Sequence, residues 1–352
     1  MGRKHTKHCH LPPGIRARKQ RSGKVYYYFD LGGRPRKEIP LGTSLVDALH
    51  KARTLGAEAV DGAPTQPTVV DMFQLFVKTR FSTLKPRTRS DYEEYFRKLY
   101  EYFGNPPAPL DAIRAEHVKE YLDIRGEASK IQANREIAAM SSMFNHARAS
   151  GLTNAQNPCR GVKRHKEKAR DVYVSDAALT ALIDAAPRPL QQALRLGHLT
   201  ALRPGDLFDL TLENIRDGAL HVVTSKTEER ISFALEGELA SLVEEIRNTQ
   251  RATGCTSLLV NDRGGKYSYS AGDNAFEKAR LRAAHAAEGA GATQLAAEIR
   301  RAQFRDLRAK AASDVAETRG ILDAKALLGH RSVVMTERYV RSRRGKKVKP
   351  TK

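Results

Sequence analysis

The chain is interrupted twice by stretches that no packed core would accept, and those two breaks limit its architecture more than any other feature. Asp61-Gly62-Ala63-Pro64-Thr65-Gln66-Pro67 combines turn formers with two prolines and reads as a linker. Residues 160–170 hold Arg160, Lys163, Arg164, Lys166, Lys168 and Arg170 with His165, and form a second break too basic for a neutral spacer. A strand laid along nucleic acid suits that composition, and a solvated charge run suits it nearly as well. At 352 residues the chain is too long for one ordinary core. The breaks therefore predict three domains, over 1–60, 66–160 and 170–345, with a basic tail at 346–352.

Local patterning gives each segment its class. In the first, Ile15–Lys19, Val25–Leu31 and Arg36–Leu41 read as short strands separated by the turn signals Ser22-Gly23 and Gly32-Gly33. A helix follows, with Ser44 as N-cap and Leu45, Ala48, Leu49, Ala52 and Leu55 as its apolar stripe. In the second, Thr68 with Asp71 opens a helix bearing Met72, Phe73 and Phe76, and Pro86 suits the first turn of another. Val118, Tyr121 and Leu122 mark a third helix, and Ile131, Ile137, Met140 and Phe144 a fourth. In the third, Ser175 caps a helix, Leu220–Thr224 and Ile231–Leu235 form a hairpin, and helices follow. The Ala/Gly-rich stretch from Ala283 to Ala297 reads as a loop or a frayed helix. The predicted fold is multidomain and mainly α with small β-sheets. It comprises a three-stranded sheet plus helix, a helical (SAM-like) domain and a mixed α+β domain.

Charge indicates the partner. Lys and Arg outnumber Asp and Glu by 61 to 40, a net +21. Such an excess favours a polyanion, nucleic acid before anionic membrane, because no basic amphipathic helix with a broad apolar face is seen. The charge is clustered: residues 1–37 hold eleven basic groups against one acid, Asp30. Arg3, Lys4, Lys7, Arg16, Arg18 and Lys19 are the candidate DNA contacts there, joined by Lys163, Arg164 and Lys166 in the second break. His5, His8, Cys9 and His10 lack a second ligand pair at metal spacing and suit a phosphate-contacting arm better than a zinc site. No apolar run approaches the roughly 20 residues of a membrane span, and no secretory signal is visible. Three scattered cysteines make no disulfide framework. That cysteine usage fits a reducing cytosol, so a cytoplasmic location is expected.

Four strings in the third segment carry chemistry: Thr200-Ala201-Leu202-Arg203-Pro204-Gly205-Asp206-Leu207, the hairpin turn Ser225-Lys226-Thr227, Arg305-Asp306-Leu307-Arg308, and Leu327-Leu328-Gly329-His330 followed nine residues later by Tyr339. In this order they resemble the catalytic series of the tyrosine recombinases, the phage integrases in particular. Asn134-Arg135-Glu136 and Asn157-Pro158 resemble the family's core-binding domain. The basic start through Leu11-Pro12-Pro13, with Tyr26-Tyr27-Tyr28 and Leu41-Gly42, is similar to the arm-binding domain of its lambda-like members. The resemblance thus covers nearly the whole chain.

The chemistry needs these residue types. A phosphodiester is an anion that resists an anionic nucleophile, and the guanidiniums of Arg203 and Arg308 can each grip its non-bridging oxygens through paired bonds. They would stabilise the charge of a pentavalent transition state with no metal or other cofactor. A tyrosine hydroxyl, pKa about 10, must lose its proton as it attacks, and Tyr339 is the candidate nucleophile. Lys226 is the candidate general acid for the leaving 5′-oxygen, with Lys266 an alternative near another turn. His330 would bond the phosphate or help move the tyrosine proton, and Asp206 would orient its neighbours. Arg305 stands where the family most often has His. An arginine cannot act as a base, so the proton's route is open among His330, Asp206 and water.

The resemblance further implies a 3′-phosphotyrosyl intermediate, a Holliday junction and a homotetramer on core-type and arm-type DNA sites. A host DNA-bending protein and an excisionase are plausible partners. Two rivals stand beside this reading. A type IB topoisomerase shares the chemistry but relaxes supercoils as a monomer. A non-catalytic architectural protein would have no need of the nucleophile.

Overall fold

The structure, a computed structural model, describes residues 14–20, 24–33, 35–43, 66–104, 106–168, 170–250 and 254–340, with isolated positions at 48, 51, 52 and 55. The expected contacts Arg3, Lys4 and Lys7, the His5–His10 cluster, the helix after Ser44, most of the first linker and the basic tail lie outside the described residues. The chain divides into two compact units, Met1–Lys168 and Ala169–Lys352.

The first unit opens with an antiparallel sheet of β1 (Ile15–Lys19), β2 (Val25–Gly32) and β3 (Lys37–Gly42), in that order. The alternation in the sequence sets its faces: Ile15, Tyr27 and Leu41 are buried, while Tyr28 lies under the Arg18 guanidinium at 4.8 Å. The same apolar cluster takes in the helices that follow. In α1 (Val69–Arg80), Thr68 and Asp71 form a capping box, with the Thr68 amide donating to Asp71 Oδ2 at 2.8 Å. α2 (Pro86–Phe103) starts on Pro86 and stacks Phe96 on Phe73 with centroids 4.0 Å apart.

The predicted third and fourth helices are two arms of a single element, α3 (Ala115–Ala149), bent at Ser129, whose φ of −162° and ψ of 107° leave the helical region. Glu136 ties the arms together, taking Arg125 Nη2 at 2.7 Å and the Tyr121 hydroxyl at 2.7 Å. Ile131, expected among the apolar residues of that stripe, is instead 47% exposed, because the first turn after the bend faces solvent.

In the second unit, α4 (Asp176–Asp184) is capped by Ser175 as expected, and α5 (Arg188–Thr200) and α6 (Pro204–Phe208) follow. A small antiparallel sheet joins β4 (Ile215–Arg216), β5 (Ala219–Val223) and β6 (Arg230–Ala234), with Leu220 opposite Phe233. Then come α7 (Gly237–Gln250), α8 (Tyr269–Gly289), α9 (Thr293–Arg301), α10 (Asp306–Thr318), α11 (Ile321–Leu328) and α12 (Val333–Glu337). The Ala283–Ala297 expectation is corrected here. That stretch is the end of one helix and the start of the next, reversed at Gly291 (φ 76°), and it buries Ala283, Ala284, Ala287 and Ala296. Alanine is the best helix former, and its small side chain lets two helices approach closely. No described helix is long and apolar enough to cross a membrane.

Candidate active site

Two tight turns build the site. After α5 the chain reverses at Ala201, which sits in the left-handed region (φ 49°, ψ 23°), an uncommon place for a residue with a Cβ. This turns Leu202 inward and starts α6 at Pro204, leaving Arg203 at its N-cap. The second turn is the C-cap of α11, where Gly329 is also left-handed (φ 59°). The positive φ favours glycine there, and a Cβ on Gly329 would also push the Ile231 Cδ1 methyl, 2.6 Å away, out of its place. A platform of Ala201, Ala311, Ala312 and Leu328 holds the turns together, with Tyr339 packed against it.

Arg308, on the first turn of α10, binds both turns. It is 4% exposed, donates through Nη1 to the Ala201 carbonyl, and donates through Nη2 to the Leu328 carbonyl at 2.7 Å. Its Nη2 also lies 3.4 Å from His330 Nε2. A guanidinium has no acceptor, so Nε2 is the accepting nitrogen and the imidazole proton sits on Nδ1. That proton is donated to Thr336 Oγ1 at 3.1 Å. Tyr339 follows α12, its amide on the Thr336 carbonyl at 2.8 Å. Its ring lies 5.2 Å from the His330 ring and 5.6 Å from Arg308 Cζ.

Asp206 connects this group to the hairpin. Its Oδ1 accepts the Ser225 amide at 2.8 Å, and its Oδ2 stands 3.9 Å from Arg203 Nη1. Lys226 is therefore carried on a turn pinned beside Arg203, with its own side chain exposed. Lys266, the alternative, is paired with Asp209 at 2.6 Å.

Two buried donors and one buried acceptor at the site are left without hydrogen bonds. Arg203 Nη1, Arg308 Nε and Asp206 Oδ2 are inaccessible to solvent and have no hydrogen-bond partner. Leaving such groups unsatisfied is costly, and a cluster of them marks a place made for something else. The electrostatics agree. Burial first, then the Arg203 cation, push Arg308 down to about 10, with Tyr339 and Asp206 opposing. Burial, then Arg308 and Arg203, hold His330 down at about 4, so its imidazole is neutral at physiological pH. Two confined cations share the single Asp206 carboxylate, which leaves the site short of negative charge.

The structure thus brings Arg203, Asp206, Arg308, His330 and Tyr339 together and sets Lys226 on the adjoining turn. It does not gather Arg305, which is exposed and donates to Gln303 Oε1 at 2.8 Å. Among the other expected contacts, Arg16 pairs with Asp30 at 2.9 Å and Arg18 with Glu38 at 2.7 Å, while Lys19, Lys163, Arg164 and Lys166 are exposed. The carbonyls of Ala201 and Leu328 and the Thr336 hydroxyl were not anticipated. Main-chain acceptors carry no sequence signal, although a buried threonine three residues before Tyr339 is one. Among the described residues, no three His, Cys, Asp or Glu side chains gather as metal ligands.

A mainly helical unit with a small hairpin, presenting a half-buried guanidinium and a buried one beside a tyrosine, defines the class of the tyrosine recombinases. Residues 173–346 match the phage integrase family, and the chain belongs to that family. It is 25% identical to the integrase of Escherichia phage HK022 over 366 residues, covering 97% of each chain. Its fold is similar to that of a lambda integrase dimer bound to a COC' core site (TM-score 0.66, 20% identity, 100% of this chain and 99% of the other). It is similar also to a lambda integrase tetramer bound to a Holliday junction (TM-score 0.66, 21% identity, 97% and 98%).

Proposed function

We propose that this recombinase cuts and rejoins DNA through attack of Tyr339 on a phosphodiester held by Arg203 and Arg308. The observation that carries the reading is the pair of buried donors that make no hydrogen bond, Arg203 Nη1 and Arg308 Nε, with the Arg308 guanidinium beside the tyrosine ring. A non-bridging phosphate oxygen would satisfy them and supply the missing charge. The tyrosine oxygen bonds to phosphorus and the 5′-oxygen leaves, giving a 3′-phosphotyrosyl link that conserves the bond energy for religation. Lys226, on a turn aligned by Asp206, protonates the leaving oxygen. His330 Nε2, released when Arg308 Nη2 turns to the phosphate, is the neutral acceptor for the tyrosine proton, and Thr336 fixes its tautomer. Arg305 contacts phosphate from the rim and takes no part in proton transfer.

Residues 66–160 and 170–345 would grasp a core-type site, and residues 1–60 an arm-type site through the basic start, including Arg3, Lys4 and Lys7. Arg16 and Arg18 would then exchange their acidic partners for phosphates, whereas Lys19 is exposed already. Four protomers would exchange strands through a Holliday junction in the bacterial cytoplasm, with a host bending protein and an excisionase as accessory partners.

Covalent capture tests the proposal. Nicked candidate attachment-site duplexes are mixed with the protein in EDTA without ATP, alongside Tyr339→Phe, and adducts are resolved on denaturing gels. An adduct formed by wild type and lost in the variant is expected. An adduct that persists in the variant moves the nucleophile elsewhere. Tight binding with no adduct from either protein returns the architectural reading.

A further inference from the structure

The basic segment that the sequence presents as a break is bound along its course to one face of a helix. Asn134, Ser141 and Asn145 of α3 are spaced i, i+7 and i+11 and so share a face. Asn157 donates to the Ser141 carbonyl at 3.1 Å, to Ser141 Oγ at 2.9 Å and to Asn145 Oδ1 at 2.9 Å. Eight residues later the roles reverse. Asn134 pairs with the His165 peptide in the manner of a strand, Nδ2 donating to the carbonyl at 2.9 Å and Oδ1 accepting the amide at 3.0 Å. It also donates to Glu167 Oε1 at 2.8 Å, and Arg135 holds the other Glu167 oxygen at 3.3 Å. The segment therefore runs antiparallel to the second arm of α3.

Its far end has a seat of its own. His165 Nε2 lies 2.9 Å from the Leu122 carbonyl, over Gly126, where a Cβ would meet Nε2 at 2.2 Å. At the near end, a cleft of about 350 Å³ lies between Asn145, Arg148 and Gln156, Arg160. Between the two latches Arg160, Lys163 and Arg164 are exposed, followed by Lys166 and Lys168, and none of the five forms an ion pair among the described residues. A solvated linker needs neither a 4%-exposed asparagine spent on its backbone nor a glycine cleared for its histidine.

We propose that residues 157–168 are a latched strap which presents a preformed row of cations to one DNA backbone, and that Asn134 is the residue that positions it. The strap's role rests on the recombinase reading above; its latching does not. Holding the row in place before binding removes the entropy of ordering long basic side chains on a loose chain. Asn134 itself touches no DNA and acts through the strap.

Two variants open the latch by different routes. Asn134→Ala removes the peptide pairing. Gly126→Ala displaces the His165 ring while raising helix propensity, so a loss there is not explained by a helix that fails to form. Without DNA, trypsin nicking between residues 160 and 168 of the full chain should rise about tenfold in both, the loss expected for one or two net hydrogen bonds. With a generic 30-base-pair duplex, affinity is measured against salt concentration. Lys163→Ala with Lys166→Ala should flatten the slope of log K against log salt by about 1.8, near 0.9 for each phosphate no longer neutralised. In either opened background the same lysine pair should change the slope by less than half as much. Unchanged nicking in both variants overturns the latch. Lysine effects that add independently of it overturn Asn134 as a positioning residue, and a lysine pair without effect overturns the row. If the wild type shows no salt-dependent binding at all, the recombinase reading fails with it, whereas normal nicking results would leave the latch standing.

Discussion

Replacing Arg308 with methionine should abolish DNA cleavage and leave the fold nearly as stable as before. A buried charge that stabilises its surroundings usually costs about 3–5 kcal/mol when its partner is removed. Arg308 differs because its carbonyl bonds are offset by confinement beside a second cation. Methionine leaves the Ala201 and Leu328 carbonyls without that donor, about 1–2 kcal/mol each. Against this stands the depression of its pKa from the ordinary arginine range to about 10, worth about 3 kcal/mol to an order of magnitude. The sign follows from the cation being the disfavoured form. The folded state bears the whole cost below about pH 10 and escapes it only as pH rises toward the ordinary arginine range, so the comparison is flat from pH 6 to 9. The two sums nearly cancel. Melting temperature should stay within about 5 °C of wild type, since 1 kcal/mol corresponds to about 2–4 °C at this size. Sulfate supplies the anion: at ten times its Kd it should stabilise wild type by about 1.4 kcal/mol and the variant far less. Thermal unfolding by circular dichroism with and without sulfate reads both effects. A variant destabilised by more than about 4 kcal/mol, or one that responds to sulfate as wild type does, would refute the account of Arg308 as a cation held in waiting for a phosphate.

Lys226→Ala should slow cleavage by about 10²–10⁴ with little loss of DNA binding, and a sulfur in place of the leaving 5′-oxygen should restore the rate because it departs without a proton. Failure of that rescue would return attention to Lys266. With His330 held at about 4, subsaturating cleavage should show no histidine step between pH 5.5 and 8, and a step near 6.5 that vanishes in His330→Asn would contradict the neutral imidazole. The same shift makes stability fall as pH drops from about 6.5 toward 4, because the unfolded chain takes up the proton first; chemical denaturation at stepped pH measures it. Gly272→Ala should cost about 1–3 kcal/mol in thermal unfolding, as its Cβ would sit 2.3 Å from Phe208 Cζ behind α6; an unchanged midpoint would mean that α6 yields without cost.

What could be read beforehand follows physical lines. The bounds of β1 were visible because alternation is strict there and turn residues stop it. The Thr68 capping box and the Ser175 cap were visible because each is a local pairing within one turn. β4, two residues long, has no room for a period to show. The α8–α9 pair escaped because alanine contributes little contrast between a helix's faces. At the site, side chains named by their chemistry converged, but the acceptors that aim Arg308 belong to the backbone of two distant turns. The ion pairs of Arg16 and Arg18 depend on strand register, which composition does not contain.

The ring of Tyr339 already rests beside Arg308 and His330 within a single protomer. On the proposed reading, DNA then has no nucleophile to recruit, and none of its binding energy is spent ordering one. A phosphate that settles between the two arginines meets a cutter already loaded. Fidelity in such a machine lies upstream of the chemistry. It has to choose by address, in which duplex it admits and how long it stays there, because a duplex once seated faces no second inspection.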